Sequence, residues 1–132
     1  MRFTTLKTLT LAAALLGPSA WAGEVFVIAH PSVSLSPEEL REVFVGDKQL
    51  AGSVKLVPMD NSAAQADFLS KVLKVDAAKY ASIWAKKGFR EGLTAPALRG
   101  SDAEVLSAVR STPGAVGYVT KAPSDVKVIQ KF

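Results

Sequence analysis

The sequence contains no cysteine and only one histidine, His30, among its 132 residues. Without cysteine the protein has no disulfide bonds, no thiol nucleophile and no thiolate metal ligands, so its stability must come from packing. A single histidine also excludes a metal site built from several histidines. No spacing of serine and aspartate around His30 suggests a catalytic triad. We therefore expect a protein that is not an enzyme and that needs no metal or other cofactor.

Strong charge is absent as well. The formal net charge is +4 at pH 7, and lysines and arginines are scattered singly along the chain. A nucleic-acid-binding surface would require a basic stripe with interleaved aromatic residues. We expect no nucleic-acid partner.

The first 22 residues have the pattern of a cleaved secretory signal peptide. Arg2 and Lys7 supply a positive start, residues 8–16 are mostly apolar, and residues 20–22 read Ala-Trp-Ala, the small-x-small pattern of a signal-peptidase site. The apolar run is shorter than the roughly 20 residues that a membrane-spanning helix needs. We predict cleavage after Ala22, export to the periplasm, and one domain over residues 23–132 with no membrane span. The alternative is an uncleaved membrane anchor.

Short apolar runs rich in β-branched residues predict four strands, over residues 24–29, 54–57, 116–119 and 125–129. The first run is apolar almost throughout, which is typical of a strand buried on both faces. Pro31 and Pro58 are predicted to end the first two strands, since proline lacks the N–H that a strand ladder uses. Gly117, inside the third strand, is predicted to allow a close approach of neighbouring groups.

Helices are predicted where capping motifs precede apolar residues at helical spacing. The capping boxes pair Ser36 with Glu39, Ser62 with Gln65, and Ser101 with Glu104. Asp76 caps a further helix, which is predicted to end at Gly88 and to be followed by a loop over residues 89–100. Because strands and helices alternate, the sequence predicts an α/β fold with a mixed, mostly parallel sheet flanked by helices.

Four motifs in this order resemble those of the phosphate-type periplasmic substrate-binding proteins of ABC transporters. They are LSPEELREVFVG at residues 35–46, VPMDNS at residues 57–62, the aromatic residues Tyr80, Trp84 and Phe89, and TPGAVGYV at residues 112–119. The resemblance implies one lobe of a type II periplasmic-binding-protein-like fold. It also implies a small oxyanion such as phosphate as ligand, and an ABC permease or another envelope protein as partner.

The predicted ligand site lies where the second strand meets the next helix, at Asp60, Asn61 and Ser62. Backbone N–H groups at the start of a helix, together with a hydroxyl, can bind an oxyanion, and ligands in α/β sheets commonly lie at the carboxyl ends of strands. His30 and Ser32, which follow the first strand, are further candidates. The alternatives are helix capping for Asp60 to Ser62 and a solvated loop for His30.

Two other groups of residues leave alternatives open. Arg90 and Arg99 flank the predicted loop, where they would either reach an anion or be solvated. The three aromatic residues of the third motif are expected in the core rather than in a ligand-binding wall. Because the resembling family carries an arginine and a Ser-Gly-Thr run where this chain has Met59, Ala63 and Ala64, a second function is also open. It is a protein-interaction module that kept the fold and lost the ligand site.

Overall fold

Five strands form one mixed sheet in the structure, a computed structural model that describes residues 23–132. They are β1 (Phe26–Ala29), β4 (Val57–Asn61), β5 (Ala97–Arg99), β6 (Ala115–Val119) and β7 (Lys127–Lys131), in the order β5-β4-β6-β1-β7. β4 is parallel to both its neighbours, and β1 is antiparallel to both of its own. Four strands therefore run in one direction and β1 runs against them. A separate hairpin joins β2 (Leu50–Ala51) to β3 (Val54–Lys55).

The helices are unequally divided between the two faces of the sheet. They are α1 (Leu40–Phe44), which follows a 3₁₀ turn at Pro37–Glu39, α2 (Gln65–Phe68), which continues as a π-helical turn at Leu69–Leu73, α3 (Ala77–Glu91) and α4 (Asp102–Ser111). Buried residues of α1, α2 and α3 form the larger core on one face, and α4 forms a smaller core on the other. The predicted α/β fold with a mixed sheet flanked by helices is confirmed. None of the helices within residues 23–132 is long and apolar enough to cross a membrane. The predicted signal peptide and its cleavage site lie outside the described residues.

Aromatic rings occupy the centre of the larger core. Phe68 stacks on Tyr118 with ring centroids 3.9 Å apart, and Phe44 meets Phe68 edge to face at 4.6 Å. Such pairs contribute about 0.5–1.5 kcal/mol beyond the area they bury. Tyr118 also carries a hydroxyl into this core, so a polar partner must lie there too.

The second predicted strand is wrong in its bounds. The run 54–57 is divided between β3 and β4, and Pro58 lies inside β4 rather than ending it. The N–H of Val57 donates to the carbonyl of Gly114 on the β6 side, so Pro58 turns its nitrogen towards β5. β5 pairs only with Met59–Asn61, so no ladder bond is lost at the proline.

Two helix boundaries also differ from the prediction. Ser62 does not cap α2, because Asn61 is still the last residue of β4 and α2 begins at Gln65. α3 passes through Gly88 to Glu91, and Gly92 provides the left-handed residue that ends it, with φ 69°. The predicted loop 89–100 therefore contains the last turn of α3 and all of β5. Phe89, expected in the core, is 92% exposed on that last turn.

The other predicted starts agree with the structure. Asp76 accepts a hydrogen bond from the backbone N–H of Lys79 at 2.7 Å, and Ser101 accepts one from Glu104 at 3.3 Å. The carboxylate of Glu39 accepts one from the backbone N–H of Ser36 at 2.9 Å. The last strand lies two residues later than predicted.

Gly117→Ala is expected to destabilise the protein by about 1–3 kcal/mol, the usual cost of overpacking a core. A Cβ on Gly117 would lie 2.7 Å from Cγ1 of Val105 and 3.1 Å from Cγ of Met59, which confirms the predicted close approach. Urea unfolding measures the effect. The matched control is Gly88→Ala in α3, where the nearest atom lies at 3.4 Å and alanine should stabilise by about 0.5–1 kcal/mol. Equal midpoints for the two variants would contradict the prediction.

Candidate functional site

Asp60, the first of the predicted ligand residues, is buried and fully engaged. Its two carboxylate oxygens each accept a hydrogen bond from a tyrosine, Oδ2 from Tyr80 and Oδ1 from Tyr118, both at 2.8 Å. All three side chains are buried. Burial raises the pKa of the Asp60 carboxyl above its ordinary value, and the two tyrosine hydroxyls act against that rise. Burial and the neighbouring carboxylate also raise the pKa of both tyrosines.

Asn61 faces the opposite side of the sheet and joins the carboxyl ends of the strands. Its Nδ2 donates to Oδ1 of Asp102 at 2.8 Å and to the carbonyl of Tyr118 at 3.0 Å, while its Oδ1 accepts from the N–H of Ala63 at 2.9 Å. Asp102, at the start of α4, also accepts from the backbone N–H and the hydroxyl of Thr120. This network fixes the ends of β4 and β6 against α4.

Ser62 donates its hydroxyl to the carbonyl of Gly100 at 3.2 Å, and its N–H donates to the carbonyl of Arg99 at 2.8 Å. Both bonds connect the end of β4 to the end of β5. Of the three residues predicted in this loop, only Ser62 has an exposed side chain. The loop does lie at a strand-to-helix junction, as expected, although the side chains of Asp60 and Asn61 are used inside the protein.

His30 and Ser32 lie at the other end of the sheet. Nδ1 of His30 is 2.8 Å from the hydroxyl oxygen of Ser32, which accepts a hydrogen bond from the N–H of Gly114 at 3.0 Å. Gly114 immediately precedes β6, whereas Asp60 and Asn61 end β4, which runs parallel to β6. The structure therefore divides the five predicted residues into two groups and does not bring them together.

A cavity of about 430 Å³ lies beside the first half of β4, the part that β5 does not pair. Its walls come from the end of α1, the β2–β3 hairpin, the start of β4, α3 and the segment from Gly92 to Ala97. The volume lies within the roughly 300–1,000 Å³ that is usual for small-molecule pockets.

The charges in the lining are all positive. Lys48, Lys55 and Arg99 line the cavity, and no aspartate or glutamate is found among its lining residues within 23–132. Lys48 forms an ion pair with Glu39, outside the lining, at 3.2 Å. Nε of Arg99 is buried without a hydrogen-bond partner, in the part of the chain that the structure describes.

The sequence contained only part of the signal for this cavity. It indicates Arg99 as an arginine that would either reach an anion or be solvated, and Trp84 as an aromatic residue of the core. Lys48 and Lys55 were missed, because they lie on a hairpin with strands of two residues each. Gly52 and Ser53 at its turn were the available signal for that hairpin. Residues 23–132 contain no group of three or more acidic or histidine side chains that could hold a metal ion.

No protein-family model matches the chain, and no curated protein sequence is significantly similar to it. Among solved structures, it is similar to the crystal structure of an ABC-type phosphate transport receptor from Vibrio cholerae, with a TM-score of 0.50 and 14% sequence identity. The similarity covers 83% of this chain and 47% of that one, so the chain spans about half the length of the receptor. Together with the observed sheet, it shows that residues 23–132 adopt a periplasmic-binding-protein-like fold of the size of a single lobe.

Proposed function

We propose that the protein is an exported, periplasmic binding protein that takes phosphate or another small anion and catalyses no reaction. The cavity beside β4 carries this proposal, because Lys55 and Arg99 line it and no carboxylate does. Within the described residues, neither of these two cations has an acidic partner. An anion bound there would supply the missing negative charge. The likeness in fold to a phosphate transport receptor supports the same class of function.

The cavity is a better place for an anion than the loop from Asp60 to Ser62. An anion at that loop would approach the carboxylates of Asp60 and Asp102, which lie at the same end of the sheet. Like charges at short distance are unfavourable, and more so where water is excluded. As in a transport system, an ABC permease or another envelope protein would then receive the ligand from this protein.

Phosphate is expected to raise the melting temperature of the protein. A ligand at 100 times its dissociation constant stabilises the folded state by about 2.7 kcal/mol. The measurement is thermal unfolding in millimolar phosphate against chloride at equal ionic strength. Arg99→Gln should abolish the increase, and Arg90→Gln, which removes the same charge from the exposed face of α3, should preserve it. No increase for the unmodified protein would contradict phosphate as the ligand, and an increase abolished by Ser62→Ala would place the ligand in the loop instead.

A second candidate function is a protein-interaction module, and exposed apolar side chains favour it. Phe89 is 92% exposed and Leu98, on the edge strand β5, is 58% exposed. Large apolar residues at the surface often mark an interface when they form a patch. Light scattering of the purified protein, followed by a pull-down from periplasm with Phe89→Ser as the control, tests this function. A strictly monomeric protein that retains no partner would contradict it.

A further inference from the structure

Most of the cavity beside β4 is lined by apolar side chains, although its charges favour an anion. The apolar lining residues that retain exposed surface are Val57, Pro58, Leu93, Ala95, Pro96 and Ala97. A bare oxyanion is strongly hydrated and gains nothing from contact with such surfaces. The lining therefore suits a ligand that has an apolar part as well as a charge.

The size of the cavity leads to the same conclusion. A water molecule takes a share of about 30 Å³ in the liquid, so a volume of about 430 Å³ has room for far more than a tetrahedral oxyanion of five heavy atoms. If phosphate bound alone, it would leave most of the apolar wall in contact with water. An organic anion of roughly ten heavy atoms would cover that wall and still reach Arg99.

Trp84 gives the cavity a rigid wall. Its Nε1 donates to the carbonyl of Phe44 at 3.0 Å, which fixes the orientation of the indole ring. Gly46 lies against the same ring, and a Cβ at that position would be only 2.8 Å from Cη2 of Trp84. A ring held in this way needs little further ordering when a ligand packs on it, which reduces the entropic cost of binding.

Arg99 provides the complementary polar end. Its main chain is fixed in β5, where its carbonyl accepts from the N–H of Ser62 at 2.8 Å. A guanidinium group binds carboxylate or phosphate through two parallel N–H groups. Lys55 adds a second positive charge to the lining.

We infer that this cavity binds an amphipathic organic anion, a compact apolar body that carries one carboxylate or phosphate group, in preference to a free inorganic oxyanion. The inference rests on the proposed anion-binding function and specifies its ligand class. The charged group contacts Arg99, and the apolar body packs against Trp84 and Leu93.

Fluorescence of Trp84 tests the inference directly, because the sequence has two tryptophans and Trp21→Phe in the full chain leaves Trp84 alone. The probes are phosphate, acetate, cyclohexanecarboxylate and the cation cyclohexylmethylamine. Each buried methylene should strengthen binding about fourfold. We therefore expect cyclohexanecarboxylate to bind at least about tenfold more tightly than acetate or phosphate, and the amine to bind at least about tenfold more weakly than the carboxylate.

Thr94 offers a matched pair of variants for the electrostatic part, since it is exposed and lines the cavity. Thr94→Glu should weaken cyclohexanecarboxylate binding about tenfold relative to Thr94→Gln, which has the same size and no charge. This pair keeps the test valid even if a change at Arg99 impairs folding. Equal affinities for the two variants would overturn the placement of the anion in this cavity.

The two proposals fail in different ways. Phosphate binding as tight as, or tighter than, cyclohexanecarboxylate binding would overturn the inference and leave the anion-binding function in place. Binding of the amine as tight as that of the carboxylate would show an apolar pocket without anion selectivity, which overturns both. No binding of any anion, by fluorescence or by thermal shift, would also overturn both.

Discussion

Replacement of Gly114 by alanine is expected to lower the free energy of unfolding by about 4 kcal/mol, as the sum of a strained backbone and an overpacked site. Gly114 has a φ of 86°, in the left-handed region that residues with a Cβ rarely adopt. A Cβ there would lie 2.0 Å from the carbonyl oxygen of Lys55. That oxygen belongs to the main chain, so a change of rotamer cannot relieve the contact.

The turn cannot move away easily, because Gly114 is bonded on both sides. Its N–H donates to the hydroxyl of Ser32 at 3.0 Å, and its carbonyl accepts from the N–H of Val57 at 2.8 Å. A shift that opened space for a Cβ would break the contact between the start of β4 and the start of β6. The loss would be a large part of the roughly 5–15 kcal/mol that stabilises an ordinary domain.

Gly92→Ala is the matched control for Gly114→Ala. Gly92 has a φ of 69° and would have no atom within 4 Å of an added Cβ, so it carries the backbone strain without the collision. Its replacement should cost only about 1–2 kcal/mol. Urea unfolding of both variants measures the difference, and equal losses at the two glycines would show that the collision with Lys55 is relieved at no cost.

The fold class was predictable because local signals agreed with one another. The buried run of β1, the caps at Asp76 and Ser101, and the Pro-Gly turn before β6 each depend on a few neighbouring residues. Their order was enough to predict a mixed sheet flanked by helices.

The errors arose where distant residues decide the outcome. Pro58 is accepted within β4 because β5 is short, and the sequence does not show which strand lies beside the proline. Gly88 and Gly92 lie four residues apart, and in the sequence both resemble a helix stop. In the structure α3 passes through Gly88, and Gly92 adopts the left-handed conformation that ends the helix.

The candidate site was less predictable than the fold. Asp60 and Asn61 look like a polar surface loop in the sequence, since nothing near them indicates that tyrosines from α3 and β6 cover Asp60. The cavity is assembled from two parts of the chain that are distant in sequence, residues 43–59 and residues 84–99. Only the packing of those elements places Lys55 and Arg99 at one cavity.

Asp60→Ala is expected to destabilise the protein by about 2–6 kcal/mol, because it leaves two buried tyrosine hydroxyls without an acceptor at about 1–3 kcal/mol each. The side chains of Tyr80 and Tyr118 are buried, so water does not readily replace the carboxylate. Urea unfolding measures the loss. The double variant Tyr80→Phe, Tyr118→Phe lacks both hydroxyls. In that background Asp60→Ala should lower the free energy of unfolding much less than in the unmodified protein. Equal costs in both backgrounds would mean that the hydroxyls find other partners.

Asp60 should also give the protein a characteristic dependence on pH, which Asp60→Asn removes. Burial raises the pKa of this carboxyl in the folded state above its ordinary value. At pH values above the ordinary pKa of 3.8, the folded state therefore keeps a proton that the unfolded state has lost. Asp60 then lowers the stability of the protein as pH rises towards the folded-state pKa.

Glu39 and Asp125 act in the opposite sense, since hydrogen bonds lower the pKa of both and their stabilisation is lost as pH falls. The difference between the unmodified protein and Asp60→Asn cancels those two groups. We expect the unmodified protein to lose stability relative to Asp60→Asn as pH rises above 4, measured by urea unfolding at a series of pH values. A difference that stays constant with pH would mean that the tyrosine hydroxyls offset the effect of burial.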